Sequence, residues 1–174
     1  MTDSFYSRRK ALALVATVAA GSALSACGFQ LRGSDGQANL PFRTIYVGFP
    51  ETSLLGTELR RYIRANGNTR IVDDQKAAEA IIEALSENRE EAILSLNSQG
   101  RIRELALFYR LGFRVRTPAG KDLLPSTEIT LKREMSFNEA QVLAKEAEKA
   151  MLYRDMQSDL VQQILRRLAA LKPA

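Results

Sequence analysis

Residues 104–116 alternate between apolar and polar side chains more regularly than any other stretch of the chain. In an extended conformation, successive side chains point to opposite faces. The apolar face would carry Leu105, Leu107, Tyr109, Leu111, Phe113 and Val115, and the other would carry Glu104, Arg110, Arg114 and Arg116. This pattern predicts a β-strand with one face in a hydrophobic core and one towards solvent. Such a strand needs neighbours beside it and a layer that covers its apolar face.

Further strands are predicted on both sides of this one. Residues 44–49, 70–72 and 127–135 are rich in β-branched and apolar residues, and residues 80–96 form a less regular extended stretch. The segments 97–100 and 118–120 have the composition of turns. These signals predict a sheet of four to five strands, mostly antiparallel.

Two helices are predicted to cover that sheet. Leu55, Leu59, Tyr62 and Ile63 make one apolar stripe at helical spacing, and Asn66-Gly67 would end the helix. A long second helix would begin at the capping-box patterns of residues 136–139 and 138–141 and run to residue 171. Its stripe would be Leu152, Met156, Leu160, Ile164 and Leu168. The fold class predicted is therefore an α+β two-layer sandwich, with both helices packed on one face of the sheet.

The N-terminus has the layout of a secretory signal peptide. Basic residues at positions 8–10 precede a weakly polar run, which ends in Leu24-Ser25-Ala26-Cys27. The run is shorter than the roughly 20 apolar residues of a membrane-spanning helix. A cysteine directly after such a cleavage site resembles the bacterial lipobox, so we expect Cys27 to be acylated. Ser7-Arg8-Arg9 leaves a twin-arginine route open beside the ordinary secretory route.

We therefore expect a signal peptide at residues 1–26, a lipidated N-terminus and linker at 27–41, and a single domain at 42–174. Removal of residues 1–26 leaves 148 residues, with 22 basic and 19 acidic side chains. This mild excess of positive charge does not indicate a nucleic-acid partner. Cys27 is the only cysteine, so an acylated mature chain would contain no disulfide.

The sequence offers no catalytic or metal site. It contains no histidine, which excludes a Ser-His-Asp triad and the commonest zinc sites. No Ser-x-x-Lys motif, glycine-rich phosphate loop or metal-spaced carboxylate cluster is present. We therefore expect a protein that is not an enzyme and that carries no cofactor other than a covalent lipid on Cys27.

Three stretches of the mature chain resemble a known family. Cys27-Gly28-Phe29-Gln30-Leu31-Arg32-Gly33 is similar to the opening of LptE, the outer-membrane lipoprotein of lipopolysaccharide (LPS) assembly. Residues 136–148 and the C-terminal segment 164–168 also resemble that family. The resemblance implies an outer-membrane lipoprotein that plugs the β-barrel of the LPS translocon (the LptD-like partner), assists its assembly and binds LPS. Gly28 after the lipidated cysteine fits outer-membrane sorting. The resemblance also implies that Lys145 contacts LPS.

The candidate LPS-binding residues are basic. Between residues 101 and 121 there are six basic side chains and one acid. Arginine can bind phosphates and carboxylates with two parallel hydrogen bonds, so the group is suited to an anionic ligand. The candidates are Arg101, Arg103, Arg110, Arg114 and Arg116, together with Lys145. The alternative is that they are ordinary solvated positions. A periplasmic auxiliary lipoprotein of an ABC-type lipid transporter is the alternative function.

Overall fold

The computed structural model describes residues 40–172, so Cys27 and the expected signal peptide lie outside the described residues. The strands are β1 (Thr44–Gly48), β2 (Arg70–Ile71), β3 (Ala80–Leu96), β4 (Ile102–Arg116) and β5 (Asp122–Ser136). The helices are α1 (Leu54–Asn66) and α2 (Val142–Ala169). Short 3₁₀ turns occur at Gln75–Ala77 and Glu139–Gln141. The predicted α+β class is confirmed.

The five strands form one sheet in the order β2-β1-β3-β4-β5. β1 is parallel to both β2 and β3, whereas β4 is antiparallel to both β3 and β5. The sheet is therefore mixed, and its two long pairings, β3/β4 and β4/β5, are antiparallel, as the sequence predicted. The parallel pair β1/β2 results from the helical crossover through α1, since parallel neighbours cannot be joined by a tight hairpin.

One hydrophobic core lies between the helices and the sheet. On β4, the predicted apolar face is buried from Leu105 to Val115. On α2, Met156, Leu160, Ile164 and Leu168 are fully buried, and on α1 the same is true of Leu55, Leu59 and Ile63. The period-two and helical patterns therefore identified the residues that meet in the core.

The helix ends follow local capping chemistry. At the start of α1, the Ser53 Oγ accepts a hydrogen bond of 2.9 Å from the Gly56 N–H. At its end, Gly67 has φ +70°, as the Asn-Gly signal predicted. Asn138 caps the 3₁₀ turn at Glu139–Gln141, and α2 begins only after that turn. The predicted long helix is therefore shorter at both ends.

β3 and β5, which lie at an edge of the sheet for part or all of their length, are less regular. β1 pairs only with the first residues of β3, so the segment from Ala84 to Leu96 has β4 as its only neighbour. The pairing of β3 with β4 shifts register at Ala84/Ser86 and again near Ser95, which leaves Leu85 half exposed. β5 is longer than predicted and contains Pro125. An edge strand tolerates proline where the backbone N–H would face away from the sheet, because no hydrogen bond to a neighbouring strand is lost there.

A polar cluster lies where β3 meets the helices. The Arg89 Nη2 donates to Tyr109 Oη at 3.1 Å and to Gln157 Oε1 at 3.1 Å. Its guanidinium carbon lies 4.6 Å from the centre of the Tyr109 ring and 5.4 Å from that of Tyr153. Tyr109 Oη in turn donates to Glu87 at 2.6 Å. Burial raises the pKa of Tyr109, and its hydrogen bond to Glu87 raises it further, so the hydroxyl remains a donor.

The same cluster reaches both helices. Glu87 also accepts a hydrogen bond of 2.7 Å from Ser53, the N-cap residue of α1. Gln157 of α2 donates to Glu58 of α1 at 2.6 Å, and Ser158 donates to the same carboxylate at 2.8 Å. The polar cluster therefore connects the sheet to α1 and α1 to α2.

Replacement of Leu160 by alanine should destabilise the protein by about 2–5 kcal/mol, because Leu160 is fully buried and its loss leaves a cavity. Urea unfolding followed by circular dichroism measures the change. Leu143→Ala on the same helix is the control, since Leu143 is 88% exposed and should change stability by less than about 0.5 kcal/mol. Equal losses for both variants would contradict the assigned face of α2.

Candidate functional site

The β3–β4 connection is a tight turn that is stabilised by the side chain of Asn97 and by one glycine. Asn97 Oδ1 accepts hydrogen bonds from the N–H groups of Gln99 and Arg101, at 3.0 and 2.9 Å. Gly100 has φ +75°, which suits glycine better than other residues. The turn therefore fixes the position of Arg101 and of the first residues of β4.

A cleft of about 330 Å³ lies beside this turn. Its walls are the start of β4 and the connection between β5 and α2, including Arg101, Arg103, Phe137 and Glu139. The Phe137 N–H donates to the Arg103 carbonyl at 2.8 Å and joins the two walls. Arg101 lies 3.5 Å from Glu139. The Arg103 side chain is exposed and makes no hydrogen bond or ion pair within residues 40–172.

Lys145 lies next to the cleft in the first turn of α2. Its ammonium donates to the Ser136 hydroxyl at 3.0 Å and to Glu148 at 2.8 Å. Ser136 is the last residue of β5 and pairs with Glu104 of β4, so Lys145 is close to the end of the sheet that carries Arg101 and Arg103. The structure therefore brings together three of the six predicted cations.

Exposed apolar side chains occupy the same end of the sheet. Their exposures are 57% for Ile93, 44% for Leu94, 54% for Leu96, 44% for Val142 and 88% for Leu143. The strand register pairs Ile93 with Leu105 and Leu96 with Ile102, directly beside the arginines. We call the set Ile93, Leu94, Leu96, Arg101, Arg103, Val142, Leu143 and Lys145 the hairpin-end surface. It combines fixed positive charge with apolar area that the core does not use.

The other three predicted cations lie along the open face of β4, opposite the helices. Glu83 of β3 accepts from both Arg114, at 2.7 Å, and Arg116, at 2.6 Å. Arg110 lies 3.6 Å from Glu90 and 5.3 Å from the centre of the Phe108 ring. Its buried Nε has no hydrogen-bond partner within the described part of the chain. Acids of the neighbouring strand therefore offset the positive charge of this face.

Distance separates these two groups of cations. The members of the two groups that lie nearest along β4, Arg103 and Arg110, are seven residues apart. At about 3.3 Å per residue this spacing corresponds to about 23 Å, and the odd number of residues places the two side chains on opposite faces of the sheet. One anionic headgroup cannot contact both, so the six cations do not form a single site. Whether either group binds LPS stays a prediction.

Glu83 is held in its charged form by its two arginines. The hydrogen bond from Arg116 lowers its pKa most, burial opposes this effect, and the hydrogen bond from Arg114 lowers the pKa further. Because the folded pKa is below the ordinary value of 4.5, Glu83 stabilises the fold above that pH, and its contribution is lost as the pH falls.

The Glu83→Gln variant should therefore be less stable than the wild type by about 1 kcal/mol at neutral pH. The difference should vanish as the pH falls below 4.5 and Glu83 is protonated in the wild type. Urea midpoints between neutral pH and acid pH measure this dependence. Glu51→Gln, in the exposed loop before α1, is the control and should stay within about 0.5 kcal/mol of wild type at neutral pH. A difference that is the same at all pH values would show that the ionised Glu83 carboxylate does not stabilise the fold.

Sequence reasoning missed the apolar half of the hairpin-end surface. Ala92, Ile93 and Leu94 are consecutive, and three consecutive apolar residues cannot all face one core in a strand. That break in alternation was the available signal. A larger cleft of about 520 Å³ lies at the carboxyl ends of β1 and β2, and none of the predicted cations lines it. Within residues 40–172, no three His, Cys, Asp or Glu side chains are placed to hold a metal ion.

Solved structures place this fold among bacterial lipoproteins. The chain is 42% identical to lipoprotein B from Nitrosomonas europaea, with a TM-score of 0.70 over 82% of this chain and 91% of that one. Rare lipoprotein B from Shewanella oneidensis shares the fold at 24% identity and a TM-score of 0.64, over 73% and 94% of the two chains. A minor lipoprotein from Acinetobacter baumannii shares it at 24% identity and a TM-score of 0.61, over 78% and 98%.

Comparison of the sequence with family models also identifies the family of this chain. The model of the LptE lipopolysaccharide-assembly family matches residues 42–168, and the chain belongs to that family. Its role is therefore in LPS assembly. No protein of curated function matches the sequence significantly. Among the described residues, no helix has the length and hydropathy needed to cross a bilayer.

Proposed function

We propose that the protein binds LPS through the hairpin-end surface while it plugs a β-barrel partner in the outer membrane. Membership of the LPS-assembly family supports the ligand class. The observation that carries the proposal is the meeting of Arg101, Arg103 and Lys145 with exposed apolar side chains at one end of the sheet. LPS has the matching chemistry, since phosphates on its lipid A lie beside acyl chains.

The cations and the apolar side chains of the hairpin-end surface bind different parts of LPS in this proposal. Of the three cations of this surface, Arg103 is the one whose side chain has no partner within residues 40–172, and arginine binds phosphate with two parallel hydrogen bonds. Lys145 supplies a compact charge beside the cleft. Ile93, Leu94 and Leu143 offer apolar area for acyl chains, and burial of that area contributes about 25 cal/mol per Å².

The open face of the sheet suits the barrel partner. It presents Arg110, Arg114 and Arg116 together with Glu83 and Glu90, so its charges are already mutually compensated. The lumen of a large outer-membrane barrel is polar, and a plug needs a hydrophilic surface of fixed shape against it. A lipid on Cys27 would tether the domain to the membrane that contains the barrel.

The Arg103→Gln and Lys145→Gln variants should each bind LPS about tenfold more weakly, because each loses a charge-assisted hydrogen bond to phosphate. Binding of the purified mature protein to immobilised LPS measures the effect. Arg166→Gln removes an exposed cation from the other end of α2 and serves as the matched control. Wild-type affinity in both test variants would exclude the hairpin-end surface as the LPS site.

Affinity purification from detergent-solubilised outer membranes should recover the protein with a large β-barrel protein, identified by mass spectrometry. The Cys27→Ser variant should lack the acyl mass that the wild-type N-terminus carries, because serine has no thiol to be acylated. Recovery with an inner-membrane ABC transporter would favour the auxiliary-lipoprotein alternative. Recovery of the wild type without any membrane protein would contradict both.

A further inference from the structure

Two lysines of α2 face the sheet one helical turn apart. Residues at spacing i and i+4 are neighbours on a helix surface, which places Lys149 next to Lys145. Their side chains are only 18% and 15% exposed. Two positive charges at this spacing on a helix repel each other unless anions pair with them. They therefore form a potential site for a multiply charged anion.

Carboxylates of the protein itself form ion pairs with both lysines. Lys149 Nζ lies 3.0 Å from Glu91 of β3 and 3.0 Å from Glu146 of α2. Lys145 Nζ lies 2.8 Å from Glu148. Burial opposes the charged form of Lys149, but its hydrogen bonds to Glu146 and Glu91 outweigh this effect and raise its pKa. Both lysines therefore have acidic partners in the free protein.

These carboxylates are weakly held. Glu91, Glu146 and Glu148 are 42%, 51% and 45% exposed, and ion pairs of such exposure contribute little net stability. A phosphate monoester carries a charge of about −1.5 to −2 and three acceptor oxygens, so it can replace a carboxylate at an ammonium group.

The helix segment that carries the lysines has no buried anchor. The buried residues of α2 begin at Tyr153, and no side chain between Val142 and Leu152 is buried. The contacts of Lys145 with Ser136 and of Lys149 with Glu91 connect this segment to the sheet. An exchange of partners at the lysines therefore disturbs no core packing.

We propose that Lys149 is a second cation of the LPS phosphate site, and that Glu91, Glu146 and Glu148 occupy the two lysines until a ligand phosphate displaces them. This inference rests on the proposed function, because it assigns the same ligand to the same end of the sheet. The glutamates then act as an internal competitor that lowers affinity for weakly charged amphiphiles and favours phosphorylated ones.

The test compares the affinity of the purified mature protein for lipid A with and without its phosphates. Glu91→Gln and Glu148→Gln should each raise affinity for phosphorylated lipid A about threefold to tenfold, since the competing charge is removed. Lys149→Met should lower that affinity by a similar factor. In the Lys149→Met background, Glu91→Gln should have no further effect, because the pair acts as a unit.

Glu134→Gln is the matched control. Glu134 lies near the same end of β5, but its ion-pair partner is Lys132. An equal rise in this variant would overturn the inference in favour of a general loss of negative charge. Unchanged affinity in Glu91→Gln and Glu148→Gln would also overturn it. Circular dichroism checks that each variant is folded.

Different binding results would contradict the proposed function and the inference about Lys149. A wild-type protein that does not bind phosphorylated lipid A would overturn the proposed function and this inference with it. A wild type that binds, with lysine and glutamate variants of equal affinity, would overturn this inference alone.

Discussion

Six alternate side chains of β4, from Leu105 to Val115, are buried between the sheet and the helices, and the placement of every other element depends on this one-sided burial. Each such side chain contributes about 1.5–3 kcal/mol. Their sum, on the order of 10 kcal/mol, is comparable with the whole net stability of a domain. A shift of β4 by one residue would turn all six towards solvent and Arg110, Arg114 and Arg116 into the core. The register of β4 is therefore fixed, and with it the face that carries the arginines.

β3 is constrained by polar contacts where β4 is constrained by apolar ones. Beyond Ala84 it has a single neighbouring strand, and its core-side residues include Glu87 and Arg89. Glu87 is half-buried, so its charge is costly there unless it is paired, whereas Arg89 is exposed. Tyr109, Ser53 and Gln157 supply the partners, and two of these belong to the helical layer. The polar cluster thus ties β3 to both helices at the point where strand pairing on one side ends.

Local patterns were sufficient to predict the elements and the core, but not the pairing of charges. The stripe of α2 and the alternation of β4 are visible in the sequence because burial follows the period of each structure. Glu83 is 31 residues from Arg114, and only the β3–β4 register brings them together. Counting basic residues along the chain therefore grouped five arginines that β4 separates into two surfaces. The register shifts of β3 and the exposure of Ile93 also depend on pairing, which single-sequence periodicity does not encode.

The hairpin-end surface follows from a mismatch between the two layers. β3 and β4 continue to residues 96 and 102 at this end, whereas the buried part of α2 begins only at Tyr153. The sheet therefore extends beyond the buried part of α2, and its apolar residues there remain in contact with water. Folding alone gives no reason to place Ile93, Leu94 and Leu96 in such a position, since polar residues would serve an exposed turn equally well. A ligand with acyl chains and phosphates gives both halves of the surface a use, because it buries the apolar side chains and pairs the cations.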